Sequence, residues 1–176
     1  QKLTLFQKNA IHDVKRSNAP NTKLFEEVKA IDFTHQENNH NDFNREIMLP
    51  HMLSTLGPKL AIGDVNGDGL EDAFIGGAKG AVGGIFLQTQ SGFIRSNKID
   101  LQADAASEDI GALFFDADAD KDLDLFIISG GNEFQKTDTA LKDRLYINNG
   151  IGGFKKSKER LPEYISSGSV VKGADF

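Results

Sequence analysis

The sequence predicts an all-β chain: a partial β-propeller of about two four-stranded antiparallel blades behind an irregular N-terminal segment. Three observations lead there. An acidic nine-residue loop occurs twice, starting at Asp64 and again 52 residues later at Asp116. Each copy lies between short apolar runs bounded by glycine, which read as buried strands. Each unit offers about four such runs, and four strands at a period near 50 residues fit a propeller blade. A sandwich of hairpins has no reason to repeat an acidic loop at that period.

Residues 1–58 form the N-terminal segment. Leu3-Thr4-Leu5-Phe6 reads as a short strand, Ser17 to Thr22 as a loop, and Leu24, Phe25, Val28, Ile31 and Phe33 as apolar positions of a further strand. The stretch from His35 to Asp42 is strongly polar. His35, Glu37 and His40 put imidazole beside carboxylate there, which suits either a metal or substrate role or a hydrated loop.

Residues 59–110 form the first blade. Leu60-Ala61-Ile62-Gly63 leads into the first loop, Ala73-Phe74-Ile75 leaves it, and Gly76-Gly77, Gly84-Ile85-Phe86-Leu87 and Ser91-Gly92-Phe93 follow. Residues 111–170 repeat the order: Ala112-Leu113-Phe114-Phe115, the second loop, Leu125-Phe126-Ile127-Ile128, Gly130-Gly131, Leu145-Tyr146-Ile147 and Gly152-Gly153-Phe154. Residues 171–176 begin a third copy, with Asp175 in the place of Asp64 and Asp116. Two blades cannot close a propeller, so the open edge is expected to meet further blades of the same chain or another protein.

Composition narrows the function. The chain has 176 residues, 39% hydrophobic, with 13 phenylalanines, enough for a real core and unlike a disordered acidic tail. Net charge is −6. The two loops hold nine of the 26 acids, so the rest of the chain, 17 acids against 20 bases, is slightly basic. Acidity is therefore local, which suits cation binding and speaks against a nucleic-acid surface. There is no cysteine, which excludes disulfides, thiolate metal sites and a cysteine nucleophile. No run of apolar residues is long enough for a membrane helix.

The loops carry the chemistry. In the first, Asp64, Asn66, Asp68 and Asp72 stand at positions 1, 3, 5 and 9; in the second, Asp116, Asp118, Asp120 and Asp124 do. Alternate oxygen-bearing residues, with a main-chain carbonyl at position 7 from Leu70 or Asp122, are how a short chain wraps Ca²⁺, which takes six to eight oxygens. An EF-hand is excluded, because its bidentate glutamate at position 12 is replaced by Ile75 and Ile127. A solvated acidic turn without metal is the competing reading. Lys121 stands where the first loop has Gly69, at a turn that favours positive φ, and this predicts a weaker second site.

Asp64 to Asp72 followed by Phe74-Ile75-Gly76-Gly77, and Asp116 to Asp124 followed by Leu145-Tyr146-Ile147-Asn148-Asn149-Gly150-Ile151-Gly152-Gly153-Phe154, resemble the FG-GAP or VCBS repeat family, whose calcium-loop blades also occur in integrin α-subunits. Ile31-Asp32-Phe33-Thr34-His35 is similar to the segment before the first blade in bacterial members related to cartilage acidic protein. The resemblance implies a calcium-stabilised, extracytoplasmic propeller (secreted, periplasmic or at the cell surface) that binds a protein or glycan partner and is not an enzyme. The alternative is the propeller part of an extracellular polymer-degrading enzyme whose catalytic residues lie elsewhere. No nucleophile elbow, phosphate loop, zinc-helix motif or dinucleotide loop occurs.

Overall fold

Alternating apolar runs and glycine turns become two four-stranded sheets in a computed structural model, which describes residues 30–174. The first sheet has β1 (Leu60–Gly63), β2 (Asp72–Ile75), β3 (Gly84–Thr89) and β4 (Gly92–Arg95). The second has β5 (Asp109–Phe115), β6 (Asp124–Ser129), β7 (Arg144–Ile147) and β8 (Lys155–Lys156). Strand order follows chain order in both, every neighbouring pair is antiparallel, and helix among the described residues is limited to short 3₁₀ turns. β5 starts at Asp109, two residues before the expected unit boundary at 111, and a register shift lies between Asp109 and Gly111.

Each acidic loop joins the first strand of its sheet to the second. The register is identical: Gly63 pairs with Asp72, and Phe115 pairs with Asp124. Position 9 of each loop is thus the first residue of the second strand, fixed opposite the residue just before position 1.

One core serves both sheets. Ala61, Phe74 and Ile85 from the first pack with Phe114, Leu125, Ile127 and Tyr146 from the second, joined by Val65, Leu101 and Phe154. β1 lies against β5 with like ends together. A Cβ on Gly63 would sit 2.7 Å from Leu123 Cδ1 and in ordinary contact with Phe114 Cβ at 3.5 Å, and one on Gly76 would sit 2.9 Å from Asp109 Cβ, so the seam is closest at these two glycines. The two loops therefore emerge at the same end. Residues 168–173 run along the other side of β5: Gly168 N donates to Ser129 O at 3.0 Å, and a Cβ on Gly111 would meet Val171 Cγ1 at 3.6 Å.

A buried ion pair ties the units. Arg144, 4% exposed, donates to Asp109 Oδ1 at 2.6 Å and to Ser129 Oγ at 3.1 Å. The other oxygen of Asp109 accepts from Gly77 N, in the turn after β2, at 2.8 Å. Both carboxylate oxygens and the guanidinium Nη2 are thereby partnered, while Arg144 Nε stays buried without a hydrogen-bond partner.

Residues 30–58 form an irregular strap whose only regular element is a 3₁₀ turn, Asp42–Asn44. Ile31 and Phe33, expected in a strand, are irregular; Phe33 instead lays its ring edge-on to Phe86 at 5.6 Å. Fully buried Asp42 fastens the strap to itself by accepting from Leu53 N and Ser54 N. Arg45 donates to the carbonyls of Asn132 and Phe134, and Asn38 donates to Glu133. Among the described residues no helix is long and apolar enough to cross a membrane. The expected strand Leu3 to Phe6 and the start of a third loop at Asp175 lie outside the described residues.

Candidate metal centre

The two loops share one hydrogen-bond skeleton. Asp64 Oδ1 accepts from Gly67 N and Asp68 N at 2.8 and 3.2 Å, and Oδ2 accepts from Gly69 N at 2.8 Å. In the second loop Asp116 Oδ1 accepts from Ala119 N and Asp120 N at 2.7 and 3.2 Å, and Oδ2 accepts from Lys121 N at 3.0 Å. The position-1 aspartate thus folds the loop around itself, using its own chain's N–H groups.

This fold demands two left-handed residues. In the first loop they are Gly67 and Gly69, at φ 75° and 84°. In the second they are Ala119 and Lys121, at φ 65° and 78°, the only non-glycine residues with positive φ among those described. Strain at Lys121 was legible from Gly69; Ala119, opposite Gly67, carries the same strain and was missed.

The position-9 aspartates are pins. Asp72 is fully buried and accepts from Val65 N at 3.1 Å and Gln88 N at 2.7 Å. Asp124, also fully buried, accepts from Ala117 N and Asn148 N, both at 2.8 Å. Each closes its own loop and reaches the third strand or its end. Asn148 completes the link between loops by donating its amide to Val65 O at 2.8 Å and Leu123 O at 3.0 Å.

The electrostatics divide along these roles. Burial pushes the Asp64 carboxyl up, but the N–H groups of Gly69, Gly67, Asn66 and Asp68 outweigh it and hold it below the ordinary range. Asp72 and Asp124 are raised, by burial first and by neighbouring loop carboxylates, despite their backbone donors. Asp122 is raised by burial, then by Asp120, Asp124 and Asp118.

In the second loop, carboxylate oxygens of Asp116, Asp118 and Asp120 lie within 4.8 Å of one another, a group that could hold a metal ion. Asp118 Oδ1 and Asp122 Oδ1 are buried without a hydrogen-bond partner. The residues fit a cation on that ground, since a buried carboxylate oxygen left unpaired is costly. Asp122, expected to offer its main-chain carbonyl, is not part of the group of three converging carboxylates. Arg160 Nη1 reaches Asp118 Oδ2 at 3.0 Å and supplies part of the missing charge, a role that nothing in the repeat pattern signalled. In the first loop Asn66 Oδ1 accepts from Asp68 N at 3.0 Å, while its Nδ2 donates to Asp68 Oδ2 at 3.1 Å, and Asp68 Oδ1 accepts from Leu70 N at 2.8 Å.

The strap residues singled out in the sequence do not join this centre. His35 Nε2 lies 3.0 Å from Glu37 Oε1, and His40 Nε2 lies 3.6 Å from Asp42 Oδ1. Among the described residues the Asp116 group is the one place where three such ligand atoms converge. No protein-family model, curated protein or solved structure matches the chain.

Proposed function

We infer that the chain is a calcium-binding, propeller-type repeat module of an exported or cell-surface protein, acting as a non-enzymatic platform for a protein or glycan partner. The observation that carries this reading is the second loop's cluster of three convergent carboxylates, with a buried, unpartnered oxygen on Asp118 and another on neighbouring Asp122, in a loop whose position-1 and position-9 aspartates accept from the same backbone positions as those of the first loop. Asp64, Asn66, Asp68, the Leu70 carbonyl and Asp72 would hold one ion. Asp116, Asp118, Asp120, the Asp122 carbonyl and Asp124 would hold the other. An all-oxygen set suits Ca²⁺, whereas Mg²⁺ demands near-octahedral geometry and keeps its waters. The ion's part is to neutralise the loop carboxylates and so fix the hairpins β1–β2 and β5–β6. The FG-GAP or VCBS resemblance supports the propeller assignment, as does the side-by-side packing of β1, β5 and residues 168–173.

Such a role makes stability depend on calcium. At about 1 mM ion and a Kd of about 10⁻⁴ M, each site adds about 1.4 kcal/mol. For a chain of this size that is about 3–5 °C in melting temperature per site. Chelation is expected to remove this increment, and Asp68→Ala to remove the first site's share. Identical melting curves with calcium and with chelator, for both proteins, would sink the proposal.

A further inference from the structure

We propose that the cavity between the N-terminal strap and the entry ends of β1 and β5 binds a small organic anion, a carboxylate head on an apolar body. The cavity is independent of the acidic loops. Lys59 and Glu108, which line it, immediately precede β1 and β5, whereas the loops leave the far ends of those strands. Its volume, about 590 Å³, is that of a small-molecule site. Leu53, Ile110, Phe134 and Leu141 give it apolar walls.

The charges in the cavity are not balanced against one another. Arg45 is engaged by the carbonyls of Asn132 and Phe134, and Asp109 is neutralised by Arg144. Lys59 and Lys136 line the cavity, and among the described residues neither has an ion pair or a side-chain hydrogen bond. The only other acids lining it are Glu46, which is exposed, and Glu108. Glu108 is 7% exposed and accepts one hydrogen bond, from Lys79 N at 2.6 Å. Burial, aided by the charges of Glu133, Glu37 and Asp109, pushes its carboxyl up to about 7. The Lys79 ammonium lies over the Phe134 ring, 4.5 Å from its centroid. Near neutrality about half of Glu108 is thus protonated, and in that form it can donate to a ligand oxygen instead of repelling it. Two unpaired ammonium groups beside a carboxyl that can hold its proton, in an otherwise acidic protein, select an anion; the apolar walls select a body behind it.

Calorimetric titration of octanoate into the full chain tests this, with 1-octanol as the uncharged analogue. One saturable octanoate site is expected, with weaker binding of the alcohol. Lys59→Ala/Lys136→Ala should weaken octanoate about tenfold. Lys136 is exposed, so Lys136→Ala alone keeps the test decisive if the double variant folds poorly, with about a threefold loss. Octanoate affinity should also fall from about pH 6 to about pH 8 as Glu108 ionises, and Glu108→Gln should abolish that fall. Absence of saturable binding, equal binding of the alcohol, or affinity unchanged by loss of the lysines would overturn the proposal.

Discussion

Replacing Asp72 separates its role as a pin from its role as a ligand. The carboxylate is fully buried and holds two backbone donors, Val65 N at 3.1 Å and Gln88 N at 2.7 Å. Alanine leaves both N–H groups without that acceptor. A hydrogen bond to a charged group contributes about 1.5–3 kcal/mol, so the gross loss is about 3–6 kcal/mol. Burial and the nearby charges of Asp68 and Asp64 already oppose the ionised carboxylate, which reduces the net cost to about 3 kcal/mol. In melting temperature this is about 6–12 °C. Asp72→Asn retains one acceptor oxygen and should lose about half as much. Glu71→Ala, at the exposed neighbour, should stay within about 0.5 kcal/mol of the native chain. Unfolding is followed in chelator, so that no bound ion contributes. A native-like Asp72→Ala under those conditions would refute the reasoning, because the buried carboxylate would then hold nothing.

Two further outcomes follow from the same geometry. Lys121→Gly, at φ 78°, should stabilise the chain by about 1 kcal/mol and tighten calcium at the second loop, read by thermal unfolding with and without the ion. Glu108 keeps its proton to about pH 7 in the folded chain, against an ordinary value of 4.5. The folded state thus binds more protons between those values, and stability must fall as pH rises from about 4.5 to about 7. The difference in unfolding free energy between the native chain and Glu108→Gln isolates that component, and a difference independent of pH over this window would contradict it.

Periodicity and glycine punctuation exposed the two sheets, because each strand is a short apolar run ended by a turn residue. The shared aspartate pattern of the loops was legible in the sequence, because the turn around the position-1 aspartate depends on local spacing. What escaped was non-local. Arg144 and Asp109 meet across a separation of 35 residues, and neither lies in a motif. Arg160 reaches Asp118 from a stretch without periodicity. Glu108 owes its raised pKa to burial first and then to charges that include Glu133 and Glu37, which are brought near it only in the fold. Ala119 was hidden by its side chain: alanine does not announce a left-handed turn, and only alignment with Gly67 reveals one. The strap itself was misread at Ile31 and Phe33, which lie in irregular backbone, where the Phe33 ring serves a single docking contact with Phe86.

The central claim is that the acidic loops are calcium sites, and calorimetric titration of Ca²⁺ into the chelator-stripped chain tests it most directly. Two sites with Kd of about 10⁻⁴–10⁻³ M are predicted, the second weaker because of Lys121 and Arg160. Asp64→Ala should remove the tighter site and Asp116→Ala the weaker, and Mg²⁺ at equal concentration should displace neither. No saturable calcium binding, or binding that survives in the double variant Asp64→Ala/Asp116→Ala, would contradict the account.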